Sequence, residues 1–220
     1  MEKRTIIIML IISTLISLSV IILSYFGIIR YIMIKFQSPE SFITNYHKLP
    51  KNKEKIILAV STTPERINKI QPMIISILDQ TIKVDQISLI LPQKYIEENN
   101  TIPNYLTKIV NILPSGKKYG SECCNSLIPM LLHEKECDTI IIALKDNVIY
   151  GKDFIEKMLS ESENNPDMVL KDQKNKSLLV KPEHYDCNIL DRTNNYFNDD
   201  WFMNKAKNKV INYTENYNIF

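Results

Sequence analysis

The N-terminal part of the chain contains a charge-free stretch that is long enough to cross a membrane. No charged residue occurs from Thr5 to Ile29, a stretch of 25 residues. As a helix it would be about 37 Å long, whereas a bilayer core is about 30 Å thick. A cleaved signal peptide has an apolar region of only about 7–15 residues, and no A-x-A cleavage site follows here. The sequence therefore predicts a single-pass membrane anchor in residues 1–36.

The charges that flank this predicted anchor bear on its orientation. Lys3 and Arg4 precede the apolar stretch and favour a cytoplasmic N-terminus, which corresponds to a type II protein with a lumenal domain. Arg30 and Lys35 follow the stretch and reduce the difference between its two ends. The orientation therefore stays open, with a slight preference for type II.

Beyond the anchor, the pattern predicts a polar stem and then one folded domain. Segment 37–54 is polar, contains two prolines and is predicted to be a stem. From residue 55 onward, short apolar runs typical of buried strands alternate with segments whose apolar residues recur at helical spacing. This alternation predicts an α/β domain over 55–220 with a mixed, mostly parallel sheet flanked by helices. The predicted strands are 55–61, 86–92, 108–115, 138–144, 168–170 and 177–180, and the predicted helices are 66–80, 122–134, 152–163 and 198–209.

Composition narrows the classes of function. The chain has only four glycines, and none forms a G-x-G-x-x-G dinucleotide loop or a Walker A loop. The net charge is +2 without a basic block that contains aromatic residues, so nucleic acid is not an expected partner. The spacing of the four cysteines fits no zinc site, which leaves small buried residues or one disulfide as interpretations.

Polar residues follow the first predicted strand. Ser61 is the last residue of that strand, and Thr62 and Thr63 lead to Pro64. Ser or Thr before Pro is a common helix start, so helix capping is one interpretation of these residues. Arg66 is either a contact for a phosphate group or a solvated surface charge. Both interpretations of Arg66 stay open.

A second polar group follows the fourth predicted strand. Lys145, Asp146 and Asn147 come directly after the apolar run that ends at Leu144. In α/β proteins, ligands bind at the carboxyl ends of parallel strands. Asp and Asn are also favoured in turns, so a simple polar turn explains the same residues.

Five segments, taken in chain order, resemble a known enzyme family. Together they resemble the nucleotide-sugar-dependent glycosyltransferases of GT-A type, in a little-characterised branch found in microbes and large viruses. The resemblance covers about residues 55–212 and implies a GT-A-like, Rossmann-like domain after the transmembrane helix. The segments are LAVSTTPERI (58–67), SILDQT (76–81), KKYGSECCNSLIPML (117–131), TIIIALKDNVIYG (139–151) and FNDDWFMNKAKNKVI (197–211).

This resemblance implies a nucleotide-sugar donor, a glycan acceptor and a role for each matched residue. It assigns the proton-accepting base to the acidic pair before the last predicted helix, with Asp200 as the base and Asp199 as its neighbour. Acidic residues in a first turn are also stabilised by the helix dipole, so a purely structural role is the alternative for this pair. The implied donor-binding residues are Ser61, Thr62, Thr63, Arg66, Lys118, Tyr119, Lys145 and Asp146.

The chain departs from the family pattern where the family's charged residues lie. The family has three acids at the tip of the fourth strand, and they hold Mn²⁺ or Mg²⁺ in metal-dependent members. Here Lys145 and Asn147 replace the outer two, so Asp146 and Asn147 would form a poor metal site, and the Lys145 ammonium disfavours a divalent cation. Lys118 stands at a family Asp and Cys124 at a family Lys, whereas Tyr119 matches.

Three explanations of these departures stay open. The protein is a GT-A-like domain without catalysis that is kept for binding or assembly. Alternatively, it is a transferase that neutralises phosphate with Lys145 or Lys118 instead of a metal, because lysine binds phosphate as a point charge. In the third explanation the resemblance misleads, and the tip is an ordinary polar turn.

Overall fold

The computed structural model describes residues 3–98, 101–115, 122–134, 136–174, 176–185, 204, 206 and 210–213. The chain divides into two compact units, the first containing residues 1–37 and the second spanning Ser38–Glu215. The helices are α1 (Lys3–Tyr25), α2 (Ile28–Phe36), α3 (Pro39–Tyr46), α4 (Gln71–Leu78), α5 (Gln93–Glu97), α6 (Asn104–Thr107), α7 (Glu122–His133) and α8 (Phe154–Asn164). The strands are β1 (Ile56–Ser61), β2 (Gln86–Pro92), β3 (Asn111–Ser115), β4 (Ile140–Lys145), β5 (Val169–Asp172), β6 (Ser177–Val180) and β7 (Val210–Tyr213).

The first unit contains a helix that is long and apolar enough to span a membrane. This helix is α1, which has 23 residues, none of them buried, and contains an 18-residue window with a mean hydropathy of 3.0. Gly27 has a φ of 69°, the left-handed region that glycine enters without steric cost, and it separates α1 from α2.

The second unit is built on a mixed, mostly parallel sheet, as predicted. The seven described strands lie in the order β3-β2-β1-β4-β6-β5-β7. The ladders β2–β3, β1–β2, β1–β4 and β5–β7 are parallel, whereas β6 runs antiparallel to both β4 and β5. The carboxyl ends of the six strands other than β6 therefore lie at the same edge of the sheet.

Both faces of the sheet are covered, which explains why the central strands are continuous apolar runs. On one face, Ala59 of β1 and Ala143 of β4 belong to a core cluster with Leu127 and Ile128 of α7. The alternate residues of β1 and β4 project from the other face and are also buried, with exposures of 0–3%. These alternate residues are Leu58, Val60, Ile142 and Leu144.

In the structure, the helix that the sequence predicts at 66–80 is shorter than predicted. A 3₁₀ turn covers Ile67–Lys69, and α4 begins only at Gln71. Pro72 lies in the first turn of α4, where its missing N–H leaves no helical hydrogen bond unmade. The five apolar residues that predicted this helix are all buried: Ile67, Ile70, Ile74, Ile77 and Leu78.

The segment that the sequence presents as a stem contains α3, which packs against α4. Tyr46 is 6% exposed, and its hydroxyl accepts a hydrogen bond from the Val84 N–H at 3.1 Å and donates to the Val84 carbonyl at 3.3 Å. Burial raises the pKa of Tyr46 to about 12. Lys51 extends the attachment through an ion pair with Asp85 at 3.3 Å.

Two further positions have a defined environment. His184 is buried, its Nδ1 accepts from the Lys181 N–H at 3.2 Å, and its Nε2 lies 3.1 Å from the Pro166 carbonyl oxygen. Burial lowers the pKa of His184. Cys137 is an exposed free thiol, so the expectation of a buried or disulfide-bonded cysteine is wrong at this position.

Candidate functional site

The candidate site lies where the strand order changes direction. From β1 the chain proceeds to β2 and β3 on one side and then returns to place β4 on the other side of β1. Such a switch point opens a crevice outside the carboxyl ends of two parallel strands, where α/β proteins bind ligands. In this chain the two strands end at Ser61 and Lys145, which are partners in the β1–β4 ladder.

Three side chains connect the loops that follow β1 and β4. The Thr62 hydroxyl donates to Asp146 Oδ2 at 2.7 Å, and the Arg66 guanidinium donates to Asp146 Oδ1. The Asp146 side chain is 2% exposed, whereas that of Arg66 is 33% exposed. Residues that follow different strands are thus brought together, and neither interpretation of Arg66 from the sequence anticipated its pairing with Asp146.

A tight turn after β1 brings Arg66 back toward this crevice. The Thr63 carbonyl accepts from the N–H groups of Arg66 and Ile67 at 3.0 and 3.1 Å. The Thr63 side chain also hydrogen-bonds Glu65, which lowers the pKa of that exposed carboxyl. The predicted capping role of this Ser/Thr segment is wrong, because the 3₁₀ turn that follows has Arg66 as its N-cap, without a side-chain cap. Thr62 instead contacts Asp146 across the crevice.

The loop after β4 is held by Tyr150, whose ring is fully buried, as expected for a core residue. Its hydroxyl accepts from the Lys145 N–H at 2.7 Å and donates to the Lys145 carbonyl at 3.3 Å, a role that the sequence did not indicate. The Tyr150 N–H donates to Ser76 Oγ of α4 at 3.1 Å. Gln80 adds a second link, because its side-chain amide donates to the Gly151 carbonyl at 2.6 Å. The backbone at the end of β4 is thus fixed from several sides.

A cleft of about 480 Å³ opens at the same edge of the sheet. It lies at the ends of β1, β2 and β3 and reaches the first turns of α5 and α7. Its lining combines hydroxyl and amide side chains and the charged residues Glu65 and Lys94 with an apolar part, to which Pro64, Ile90 and Pro92 belong. The lining residues are Ser61, Thr62, Thr63, Pro64, Glu65, Ile90, Pro92, Gln93, Lys94, Ser115 and Asn125.

The remaining candidate residues from the sequence lie either at the end of β4 or outside the part of the chain that the structure describes. Lys145 is half-buried at the end of β4, and Asn147 is exposed in the turn that follows. Lys118, Tyr119, Asp199 and Asp200 lie outside the described residues, as does most of the predicted helix 198–209. The structure therefore brings Asp146 together with the Ser61–Thr63 segment, and the acidic pair cannot be placed relative to them.

The described residues do not fit a divalent-metal site. Both carboxylate oxygens of Asp146 already accept hydrogen bonds, from Thr62 and Arg66. Asn147 is exposed, and Lys145 brings a positive charge to the same tip. Within the part of the chain that the structure describes, no three His, Cys, Asp or Glu side chains are grouped so that they could hold a metal ion.

Comparison with known proteins identifies the fold. No protein family matches the sequence, and no curated protein matches it. Among solved structures, the chain is similar to the mannosyltransferase PcManGT from Pyrobaculum calidifontis, solved in complex with GDP-Man and Mn²⁺. The TM-score is 0.51 at 11% sequence identity, and the match covers 85% of this chain and 65% of PcManGT, which is less than two thirds of its length. At this identity the likeness shows the fold, which is GT-A-like.

Proposed function

We propose that this protein is a membrane-anchored glycosyltransferase-like protein that binds the nucleoside diphosphate part of a nucleotide sugar. Binding takes place in the cleft at the carboxyl ends of β1, β2 and β3, and transfer of the sugar is impaired. The observation that carries the proposal is the position of this cleft, since it lies beside the β1/β4 switch point of a GT-A-like sheet.

The lining of the cleft supports this class of ligand. Its volume of about 480 Å³ lies in the range of small-molecule sites, which is about 300–1,000 Å³. Hydroxyl and amide side chains such as those of Thr63, Ser115 and Asn125 can hydrogen-bond the ribose hydroxyls and the edge of a base. Ile90 and Pro92 supply an apolar surface for the flat side of a base.

Thermal unfolding of the full chain in mild detergent tests the binding. A ligand present at about 100 times its Kd stabilises the folded state by about 2.7 kcal/mol. For a domain of this size that corresponds to a rise in Tm of roughly 5–11 °C. UDP- and GDP-sugars are the first ligands to screen, and no rise with any nucleotide sugar would contradict the proposal.

A pair of variants on β3 makes this test specific for the cleft. Ser115→Trp fills the cleft from the end of β3 and should abolish the ligand-induced rise in Tm. Asn111→Trp adds the same side chain at the other end of the strand, outside the cleft, and should retain the rise. An equal ligand-induced change in Tm in the two variants would show that the ligand binds outside this cleft.

A second candidate function, non-catalytic binding or assembly on the same fold, is favoured by the contacts of Asp146. The remaining acid of the strand tip is engaged by Thr62 and Arg66, so it resembles a structural group more than a ligand for a metal. Release of nucleoside diphosphate from a bound nucleotide sugar separates the two candidates. Measurable release favours a weak transferase, and tight binding without release favours the non-catalytic protein.

The membrane anchor is tested separately. We expect α1 to retain the full chain in the membrane pellet after alkaline carbonate washing, because about 0.8 kcal/mol is gained for each buried CH₂ group. A chain that begins at residue 37 should appear in the supernatant. Release of the full chain by carbonate would refute the anchor.

A further inference from the structure

A bound nucleoside diphosphate brings at least two negative charges into the cleft, and a site for it needs a positive counterpart. In metal-dependent sites a divalent cation supplies that charge, held by carboxylates. Here Asp146 is 2% exposed, and its two oxygens accept from Thr62 and Arg66. The Arg66 guanidinium is in turn paired with this carboxylate, so much of its charge is already balanced.

Two lysines of the described part of the chain lie near the cleft. Lys94 lines it, but its side chain is 86% exposed and is paired with Glu98 at 3.7 Å, whereas Lys145 is half-buried at the end of β4. Ala59 and Ala143 both belong to the core cluster that contains α7 residues. Two residues further along each strand, Ser61 and Lys145 project from the same face, because side chains alternate along a strand. Ser61 and Lys145 are register partners on neighbouring strands, which lie about 5 Å apart. Ser61 lines the cleft and Lys145 does not, so the Lys145 side chain starts on the strand next to a lining residue.

The backbone of Lys145 is fixed more firmly than that of an ordinary loop lysine. Both its N–H and its carbonyl are bonded to the Tyr150 hydroxyl, and Tyr150 is bonded through its own N–H to Ser76 of α4. Tyr150 also packs against Phe154, with ring centroids 4.7 Å apart. The starting point of the lysine side chain is therefore defined before any ligand arrives, which reduces the entropy lost on binding.

We propose that Lys145 replaces the divalent cation of this fold, so that the cleft binds a nucleoside diphosphate without metal. In this arrangement the Lys145 ammonium bonds the non-bridging oxygens of the diphosphate. Asp146 has a structural role and holds Arg66 and Thr62 across the crevice. The inference rests on the proposed nucleotide binding and adds the source of the counter-charge.

The test is calorimetric titration of the full chain in detergent with UDP and with GDP, once with EDTA and once with millimolar Mn²⁺. We expect the same affinity in both conditions for the nucleotide that binds. Lys145→Met should weaken diphosphate binding about 10- to 100-fold, the loss expected for a charged hydrogen bond. Lys145→Arg should retain most of the affinity.

Two controls separate the loss of the Lys145 charge from a general change in the structure of the protein. Binding of the corresponding nucleoside, which has no phosphate, should be unchanged in Lys145→Met. Lys171→Met is a matched variant, because Lys171 is also half-buried near the end of a strand but lies on β5, two strands from β4. It should bind the diphosphate as the wild type does.

The possible failures are distinguishable. Binding that requires Mn²⁺, or an unchanged affinity in Lys145→Met, would overturn the role of Lys145 and leave the nucleotide site standing. If neither nucleotide binds in either condition, the proposed function fails and the role of Lys145 fails with it.

Discussion

The Arg66–Asp146 pair offers the sharpest prediction about stability. Arg66→Met keeps an aliphatic side chain and removes the guanidinium, which leaves the Asp146 carboxylate buried with the Thr62 hydroxyl as its partner among the contacts described above. Asp146→Asn keeps the size of the side chain and an oxygen that can accept from Thr62, but it removes the buried charge. The first variant should therefore be the more damaging one.

The burial of the two side chains sets the magnitudes. Breaking a buried ion pair by removing one partner costs about 3–5 kcal/mol. Because Arg66 is 33% exposed, water can reach the vacated space, and we expect the lower end, about 3 kcal/mol. Asp146→Asn loses a charged hydrogen bond and should cost about 2 kcal/mol. The double variant has no stranded charge, so it should lose only about 3 kcal/mol, which is a coupling of roughly 2 kcal/mol.

Thermal unfolding of the full chain in mild detergent measures these differences. A loss of about 3 kcal/mol should lower Tm by roughly 6–12 °C for a domain of this size. The matched control is the exposed pair Asp153–Lys157, in which Asp153 is the N-cap of α8 and Lys157 lies on the helix, with charged atoms 2.8 Å apart. Its side chains are 45% and 36% exposed, so the same two changes there should each cost at most about 0.5 kcal/mol.

The comparison between the Arg66–Asp146 pair and the Asp153–Lys157 pair tests whether Asp146 is a buried charge that depends on Arg66. If Arg66→Met lowers Tm no more than Lys157→Met, the carboxylate of Asp146 is not a buried charge that depends on Arg66. If the double variant loses the full sum of the single effects, the two residues act independently. Either result would refute the assignment of Asp146 as a structural link between the loops after β1 and β4.

Three further predictions concern other residues. Asp200→Asn should lower any transferase turnover at least about 100-fold, which is the lower end of the loss expected when a general base is removed. Donor binding measured by calorimetry should stay nearly unchanged. Full activity of the variant would leave Asp200 with only a structural role at the start of a helix. Lys145→Asp combined with Asn147→Asp restores acids on both sides of Asp146 and should create an Mn²⁺-dependent rise in Tm that the wild type lacks at millimolar metal; tight Mn²⁺ binding by the wild type would contradict this. Burial lowers the pKa of His184 below its ordinary 6.5, so the stability linked to the neutral imidazole is complete above that pH and is lost as the pH falls through the folded-state pKa. Tm should therefore drop more between pH 7 and pH 5 in the wild type than in His184→Asn. Equal drops would contradict a lowered pKa of His184.

The central part of the fold could be predicted because its strands are buried on both faces. Such strands are continuous apolar runs, and the runs that end at Ser61, Pro92 and Leu144 were recognised to within one or two residues. The helices between them have one buried side and show helical spacing. Alternation of the two kinds of segment leads directly to a mostly parallel sheet.

Elements whose pattern is short or mixed were missed. Strand β7 has only four residues, and it is defined by its pairing with β5, a contact far away in the sequence. In the segment presented as a stem, α3 has only a small apolar side, with Phe42 and Ile43 half-buried and Tyr46 buried. The spacing of these three residues is helical and was a usable signal, but the polar composition and the prolines outweighed it.

The candidate site could be predicted only in part. The rule that ligands bind at the carboxyl ends of parallel strands pointed to Lys145–Asn147, and the family resemblance pointed to Ser61–Thr63. What could not be deduced was that β1 and β4 are neighbours, because the six predicted strands leave many possible orders. That adjacency is what allows Arg66 to pair with Asp146, and without it Arg66 looked like a surface charge or a phosphate contact.

The contacts of Asp146 change what can be inferred about catalytic activity from the residues at the end of β4. Judged by sequence alone, Asp146 is the one acid left at the position of a metal site, and together with Asn147 it would form a poor one. Once its two oxygens are engaged by Thr62 and Arg66, Asp146 has a structural reason to be an acid whether or not a metal ever binds. Its presence then no longer separates a transferase from a non-catalytic protein. Under the proposal made for Lys145, binding of a diphosphate is compatible with both. The protein would be a catalyst only if the ammonium stabilised the transition state more strongly than the bound ground state.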